Sequence, residues 1–228
     1  MNKKTVILAI SNYIAASDLL RTKYLEYLSS KYRVVVVSPI LDEAKVSAGG
    51  YLHSPDITYA HRPIENPRFW EFFKFLRVSL VNEFDYLKSV KYFYLRPNYT
   101  DNKKRRLFRF LGRPFSRILT ANFFSKIEAW LLPGSKNFKN FTKEHQPSLL
   151  ITATPGFDPW EAELIFLANR EKLPTVSINF SWDNLTMNSK HIRKADFLVA
   201  WNEIMRREAL NVHHYAPEQI FVSGTPRF

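Results

Sequence analysis

The sequence predicts an α/β domain, a mostly parallel sheet with helices on both faces, on three observations. Arg33-Val-Val-Val-Val-Ser38 is a continuous apolar run, the pattern of a strand buried on both sides. From Leu149 onward short apolar runs alternate with helical patterns in compact order. Thr175-Val-Ser-Ile-Asn-Phe-Ser-Trp-Asp-Asn184 is an apolar run that stops at a cluster of hydrogen-bonding side chains, and parallel sheets place ligands at such carboxyl ends. Together they describe a Rossmann-like domain with that stretch as its central strand.

In chain order, Thr5 to Ile10 reads as the first strand and Ser11 to Ala16 as a loop. Ser17 or Asp18 caps a helix to about Ser30, with Leu19, Leu20, Tyr24, Leu25 and Leu28 along one face. The valine strand follows, completing a βαβ start. Leu41 to Pro67 looks irregular, with a short strand at Ile57 to Ala60. Phe69, Phe73, Leu76, Leu80, Phe84 and Leu87 recur at helical steps and predict a helix to about Tyr94. Lys103 to Arg106 is a charge run, and a second helix starts near Pro114 and ends near Leu132. These helices make up a basic, aromatic insertion at about 67–132 in one domain spanning 1–228.

The second half continues with a strand at Leu149 to Thr152. Asp158-Pro-Trp-Glu161 is a helix start with Asp at the cap, Pro in the first position and Glu in the third, and the helix runs to about Lys172. Strands at Thr175 to Phe180 and Asp196 to Trp201, a helix from Asn202 to Leu210 and a last strand at Ile220 to Val222 complete the alternation.

Composition narrows the chemistry. The 228 residues contain no cysteine, so disulfides and thiolate metal sites are excluded. The loop after the first strand lacks Gly-x-Gly-x-x-Gly, which disfavours a dinucleotide cofactor, and a P-loop is absent. His53, His61, His145 and His191 have no ligand-like spacing, and the adjacent His213 and His214 point apart on a regular element, so no metal is expected. No uncharged stretch reaches the roughly 20 apolar residues that cross a bilayer. The basic start and apolar Thr5 to Ile10 weakly imitate a signal peptide, but the run is short and serves better as a strand.

Charge is concentrated. Of a formal net charge of +12, the segment from Pro67 to Arg117 holds thirteen Lys and Arg against four Asp and Glu. Such a patch implies an anionic partner. Trp70, Lys74, Arg77, Lys103, Lys104, Arg105, Arg106, Arg109 and Arg113 are the candidates for an anionic membrane surface, with a solvated basic face as the plain alternative. Nucleic acid is the weaker partner, since no nucleic-acid motif accompanies the charge.

Three stretches carry a family resemblance: Ser181-Trp-Asp-Asn-Leu-Thr186, Ala195-Asp-Phe-Leu-Val-Ala-Trp-Asn202 with Glu208, and Pro217-Glu-Gln-Ile-Phe-Val-Ser-Gly-Thr-Pro-Arg-Phe228. From about Leu149 to the end the chain resembles the amino-terminal, acceptor-side domain of GT-B glycosyltransferases. It resembles in particular bacterial surface-polysaccharide enzymes related to CDP-glycerol glycerophosphotransferases and to Kdo transferases. The resemblance implies a nucleotide-activated sugar donor held on a carboxyl-terminal domain that is expected to be absent here, or supplied by a separate partner. It also implies a sugar or lipid-linked acceptor and a cytoplasmic protein docked peripherally on the inner membrane face. Trp182-Asp183-Asn184 stands where the glycerophosphotransferases look like Trp-His-Gly, so no catalytic histidine carries over. Absence of Asp-x-Asp argues against a metal-dependent GT-A enzyme.

Such a transfer needs a base for the acceptor hydroxyl, and Asp183 is the candidate. Ser181 and Asn184 can orient the acceptor and Trp182 can offer it an aromatic face. If the strands are parallel, Asn12, Asp158, Asn202 and Glu203 join them as acceptor-binding candidates. Each also has a plain reading: an Asx-turn for Asp183 and Asn184, a helix cap for Asp158, and a turn for Ser11 and Asn12. A non-catalytic binding module and half of a sugar-nucleotide epimerase are the rival functions.

Overall fold

The computed structural model describes residues 3–80, 102–115, 118–156, 158–179, 181–186 and 193–225. The expected helix beyond Leu80, with Phe84 and Leu87, lies outside them, as do Phe180 and the side chains of Arg77, Arg105, Arg106, Arg109 and Arg113.

Among the described residues seven strands form one parallel sheet: β1 (Thr5–Ala9), β2 (Arg33–Ser38), β3 (Ile57–His61), β4 (Pro147–Thr152), β5 (Thr175–Ile178), β6 (Phe197–Ala200) and β7 (Ile220–Val222), in the order β3-β2-β1-β4-β5-β6-β7. The middle strand is therefore β4, and the run at Thr175 sits one place to its side. The expected α/β architecture holds; the expected centre shifts by a strand.

Alternation through the central strands builds two cores. Val6, Leu8, Val34 and Val36 face one way, under α1 (Tyr13–Leu20), α2 (Lys23–Lys31) and α3 (Glu43–Ala48). Ile7, Ala9, Val35 and Val37 face the other, where they meet α8 (Pro159–Arg170), Trp70 of α4 (Pro67–Leu80) and Phe138 of α7 (Lys136–His145). Burial on both faces is why the strands read as uninterrupted apolar runs. Between α4 and α7 run α5 (Asn102–Gly112) and α6 (Ala121–Leu131), and α9 (Glu203–His213) packs on β6 and β7.

Several local expectations are corrected. The first helix begins at Tyr13, capped by Asn12 whose Oδ1 accepts from Ala15 N at 2.9 Å, and not at Ser17 or Asp18. It breaks at Arg21 and Thr22, because the Thr22 hydroxyl donates to Asp18 O at 2.8 Å and accepts from Tyr24 N at 3.3 Å, closing one helix and capping the next. The charge run at Lys103 to Arg106 is the start of α5, and Pro114 lies in a short 3-10 turn, Arg113–Phe115. The following helix instead starts after Thr120, whose Oγ1 accepts from Phe123 N at 3.2 Å.

Trp70 is also corrected. It is 0% exposed, packs edge-on to Phe166 with ring centroids 6.0 Å apart and donates its Nε1 to Glu163 Oε1 at 3.2 Å, so it belongs to the core and not to a membrane-facing surface. The periodicity was that of a helix, but its buried stripe runs through Trp70 and Phe73 while Phe69 and Phe72 are exposed. Among the described residues no helix is long and apolar enough to cross a membrane.

Candidate functional site

After β1 the chain turns into α1 on one face of the sheet, and after β4 it turns into α8 on the other. Adjacent parallel strands whose connections diverge in this way leave a crevice at their carboxyl ends. Ser11 and Asn12 stand on one side of it, and the Thr154 to Glu161 turn on the other.

Local geometry fixes each group. Asn12 caps α1 with its carbonyl oxygen and donates its Nδ2 to Ser11 Oγ at 3.1 Å. Asp158 caps α8, its Oδ1 accepting from Trp160 N at 2.9 Å and Glu161 N at 3.4 Å, while Pro159 occupies a first-turn position where no N–H is needed. Glu161 does not return to the cap as a capping box would. Its Oε2 reaches back to Thr154, accepting from the backbone N–H at 2.7 Å and the hydroxyl at 2.6 Å. Its Oε1, fully buried, makes no hydrogen bond of good geometry among the described residues, although the nearby Ser11 hydroxyl favours its charge.

A fully buried carboxyl, Glu161, thus has a half-buried one, Asp158, as its neighbour. Burial first, and then the neighbouring Asp158 charge, push Glu161 up to about 8, against the pull of the Thr154 and Ser11 hydrogen bonds. Burial also raises Asp158, opposed by the helix N–H groups and by Lys74 of α4, and reinforced slightly by Glu71. At neutral pH Glu161 is therefore a protonated, neutral group. Asp158 is held more basic than an ordinary aspartate.

Gly156 closes the turn with φ +82°, and a Cβ there would stand 1.8 Å from Arg193 O. Only glycine allows that approach. Arg193 N donates to Gly156 O at 3.1 Å, so Arg193, ahead of β6, is held against this turn.

Because all strands run the same way, the remaining candidates lie along the same carboxyl edge. One strand over, residues 181–186 form a turn in which the Ser181 hydroxyl donates to the Asp183 carboxylate and Thr186 N to Asp183 O at 3.0 Å. Asn184 is buried and donates its Nδ2 to Asn179 Oδ1 at 3.0 Å, a structural amide pair that leaves it little surface for an acceptor. Trp182 is 67% exposed. Two strands over, Asn202 caps α9 through Met205 N at 3.0 Å and Glu203 is exposed, 3.4 Å from Arg206. The structure therefore gathers Asn12 and Asp158 at the crevice, and places Ser181, Trp182 and Asp183 on its flank and Asn202 and Glu203 further out.

Thr154 and Gly156 lie at a strand end that a parallel sheet brings to this crevice, but Glu161 is the partner that the sequence did not single out as a site. The available signal was a glutamate inside Pro159-Trp-Glu-Ala-Glu-Leu-Ile-Phe-Leu-Ala168, a helix otherwise apolar and buried. Among the described residues no group of three or more His, Cys, Asp or Glu is placed to hold a metal ion.

The fold is that of an α/β protein whose parallel sheet has its switch point between β1 and β4, the place where such sheets open to ligands. No protein-family model and no curated protein sequence matches the chain. Among solved structures it is similar to a glycosyltransferase from Rickettsia africae, at 11% identity and TM-score 0.44 over 98% of this chain and 43% of that one. It is also similar to UGT2 of Phytolacca americana, solved with UDP-2-fluoro-glucose and pterostilbene, at 11% identity and TM-score 0.37 over 81% of this chain and 32% of that one. The chain thus spans less than half the length of either. At these scores the likeness carries no argument about chemistry, which rests on the residues themselves.

Proposed function

We propose that the chain is the acceptor-binding half of a glycosyltransferase, a GT-B-like half that binds a hydroxyl acceptor at the β1/β4 crevice. A nucleotide-activated donor, glycosyl or glycerophosphoryl, is supplied by a second domain or partner. The acceptor oxygen bonds to the donor's anomeric carbon or phosphorus, the bond to the nucleotide phosphate breaks with its electron pair, and the acceptor proton passes to a carboxylate of this half. A sugar or lipid-linked acceptor in surface-polysaccharide synthesis is the class that the sequence resemblance suggests.

The observation that carries the reading is the pairing of Asp158 with Glu161. One carboxylate is kept basic by burial beside a second that stays protonated, at the place where a parallel sheet opens to ligands. Asp158 uses Oδ1 for the helix cap, which leaves Oδ2 for a substrate hydroxyl. Asp183, the base expected from the sequence, remains the alternative from the adjacent turn, and Ser181, Trp182 and Asn12 are positioned along the edge to orient the acceptor.

The test is turnover by this half together with its donor-binding half. Asp158→Asn keeps the helix cap, since Asn caps as well as Asp, and is expected to lower kcat about 100-fold or more with the acceptor KM little changed. Asp183→Asn is the parallel measurement. Near-normal kcat in both variants would remove proton transfer by these carboxylates and with it the proposal.

A further inference from the structure

The helix α5 is turned inside out. A surface helix ordinarily presents its apolar stripe to the core and its charges to water, yet here Leu107, Phe110 and Leu111 are 56%, 68% and 57% exposed. At 3.6 residues per turn these three positions fall within about 100° of one another. The side toward the protein is different: Phe108 meets Phe75 of α4 edge-on at 5.5 Å between ring centroids, and Gly112 is buried. The outward stripe is framed by cations. Lys103 and Lys104 are exposed in the first turn, on the same side as Leu107 and Leu111, and Arg105, Arg106 and Arg109 share the helix. Beyond it Phe115 and Ile118 are exposed as well, extending the apolar run.

Two features decide the occupant. Apolar side chains rimmed by Lys and Arg match the head-group layer of an anionic bilayer, where the hydrocarbon groups enter the acyl boundary and the cations meet phosphate. Single-stranded nucleic acid would need stacking faces, and the centre of this stripe holds two leucines beside one phenylalanine. We infer that α5 and the turn after it dock the protein on an anionic phospholipid surface. This surface keeps the Lys103 to Arg113 part of the one expected from the sequence, adds the exposed apolar stripe of α5, and leaves out Trp70, which is in the core. It stands independently of the proposed acceptor site.

Co-sedimentation of the full chain with phosphatidylcholine vesicles and with equimolar phosphatidylcholine–phosphatidylglycerol vesicles tests it. Binding is expected to the second, to weaken with added salt, and to be nearly absent from the first. Phe110→Ser combined with Leu111→Ser should weaken binding more than tenfold, and Lys103→Glu with Lys104→Glu about fivefold or more per residue. All four side chains are exposed, and an unchanged near-ultraviolet circular dichroism spectrum of the lysine variant keeps the comparison valid if the apolar variant misfolds. Absent binding, equal binding to both vesicles, undiminished binding of the lysine variant, or binding of a single-stranded oligonucleotide in place of vesicles would each overturn the inference.

Discussion

Glu161 makes a stability measurement possible that reports on the crevice without substrate. In the unfolded chain it titrates near its ordinary 4.5, and in the folded protein at about 8. A group whose folded value is raised contributes stability below its unfolded pKa and loses it as pH rises through the folded one. The native state should therefore lose stability between about pH 4.5 and pH 8, by roughly 1.4 kcal/mol per unit of separation at most. Urea midpoints across that range check this. Glu161→Gln, which keeps an acceptor oxygen for Thr154 and cannot ionise, should flatten the slope and be the more stable form at pH 8. A slope unchanged by the substitution would mean that Glu161 is ionised and solvated in the native protein.

At the scale of elements, Glu163 does for α4 what no residue of α4 does for itself. Pro67 opens that helix, and the Glu163 carboxylate of α8 accepts from Glu65 N at 2.8 Å, Asn66 N at 3.0 Å and Trp70 Nε1 at 3.2 Å. Glu163→Ala would leave these donors, the buried Trp70 Nε1 among them, without their acceptor and is expected to cost about 1–3 kcal/mol in chemical denaturation. Glu163→Gln, which keeps an acceptor oxygen, should cost less. This tie also marks where the sequence stopped being legible. The valine strand at Arg33 to Ser38 and the Asp158 cap were readable because a run of apolar residues or a cap with proline is decided within a few residues. Trp70 was not, because helical spacing shows that a stripe exists and not which partner covers it. The break at Thr22 depends on one hydroxyl switching between two backbone partners. Helices α3 and α7 are short and largely polar, and α5 hid behind four consecutive cations. In the crevice, Asp158 was legible as a cap, but the contact of Glu161 with Thr154 crosses from helix to strand end and has no local pattern.

For the molecule as a whole, the long passage from β3 back to β4 has to be fixed to the sheet, and Arg193 is one point where it meets the crevice. Its backbone holds Gly156. Its guanidinium lies 5.0 Å over the Phe166 ring of α8, 3.6 Å from Glu128 Oε2 and 3.4 Å from Ser125 O on α6. Glu128 is 0% exposed, so its charge is tolerated there only beside a cation. Arg193→Ala should therefore cost about 3–5 kcal/mol, as breaking a buried pair does. Arg193→Met with Glu128→Gln, which removes both charges and keeps much of the volume, should recover most of that loss. Hydrogen exchange separates a clamp from a general loss of stability. If Arg193 joins α6 to the carboxyl edge, the single variant should expose the amides of α6 before those of β1 and β2, whose Val and Ile side chains are packed on both faces. Uniform acceleration across all elements, or a loss below about 1 kcal/mol, would show that the helices between β3 and β4 are held by their own apolar contacts. The crevice would then owe its shape to the sheet alone.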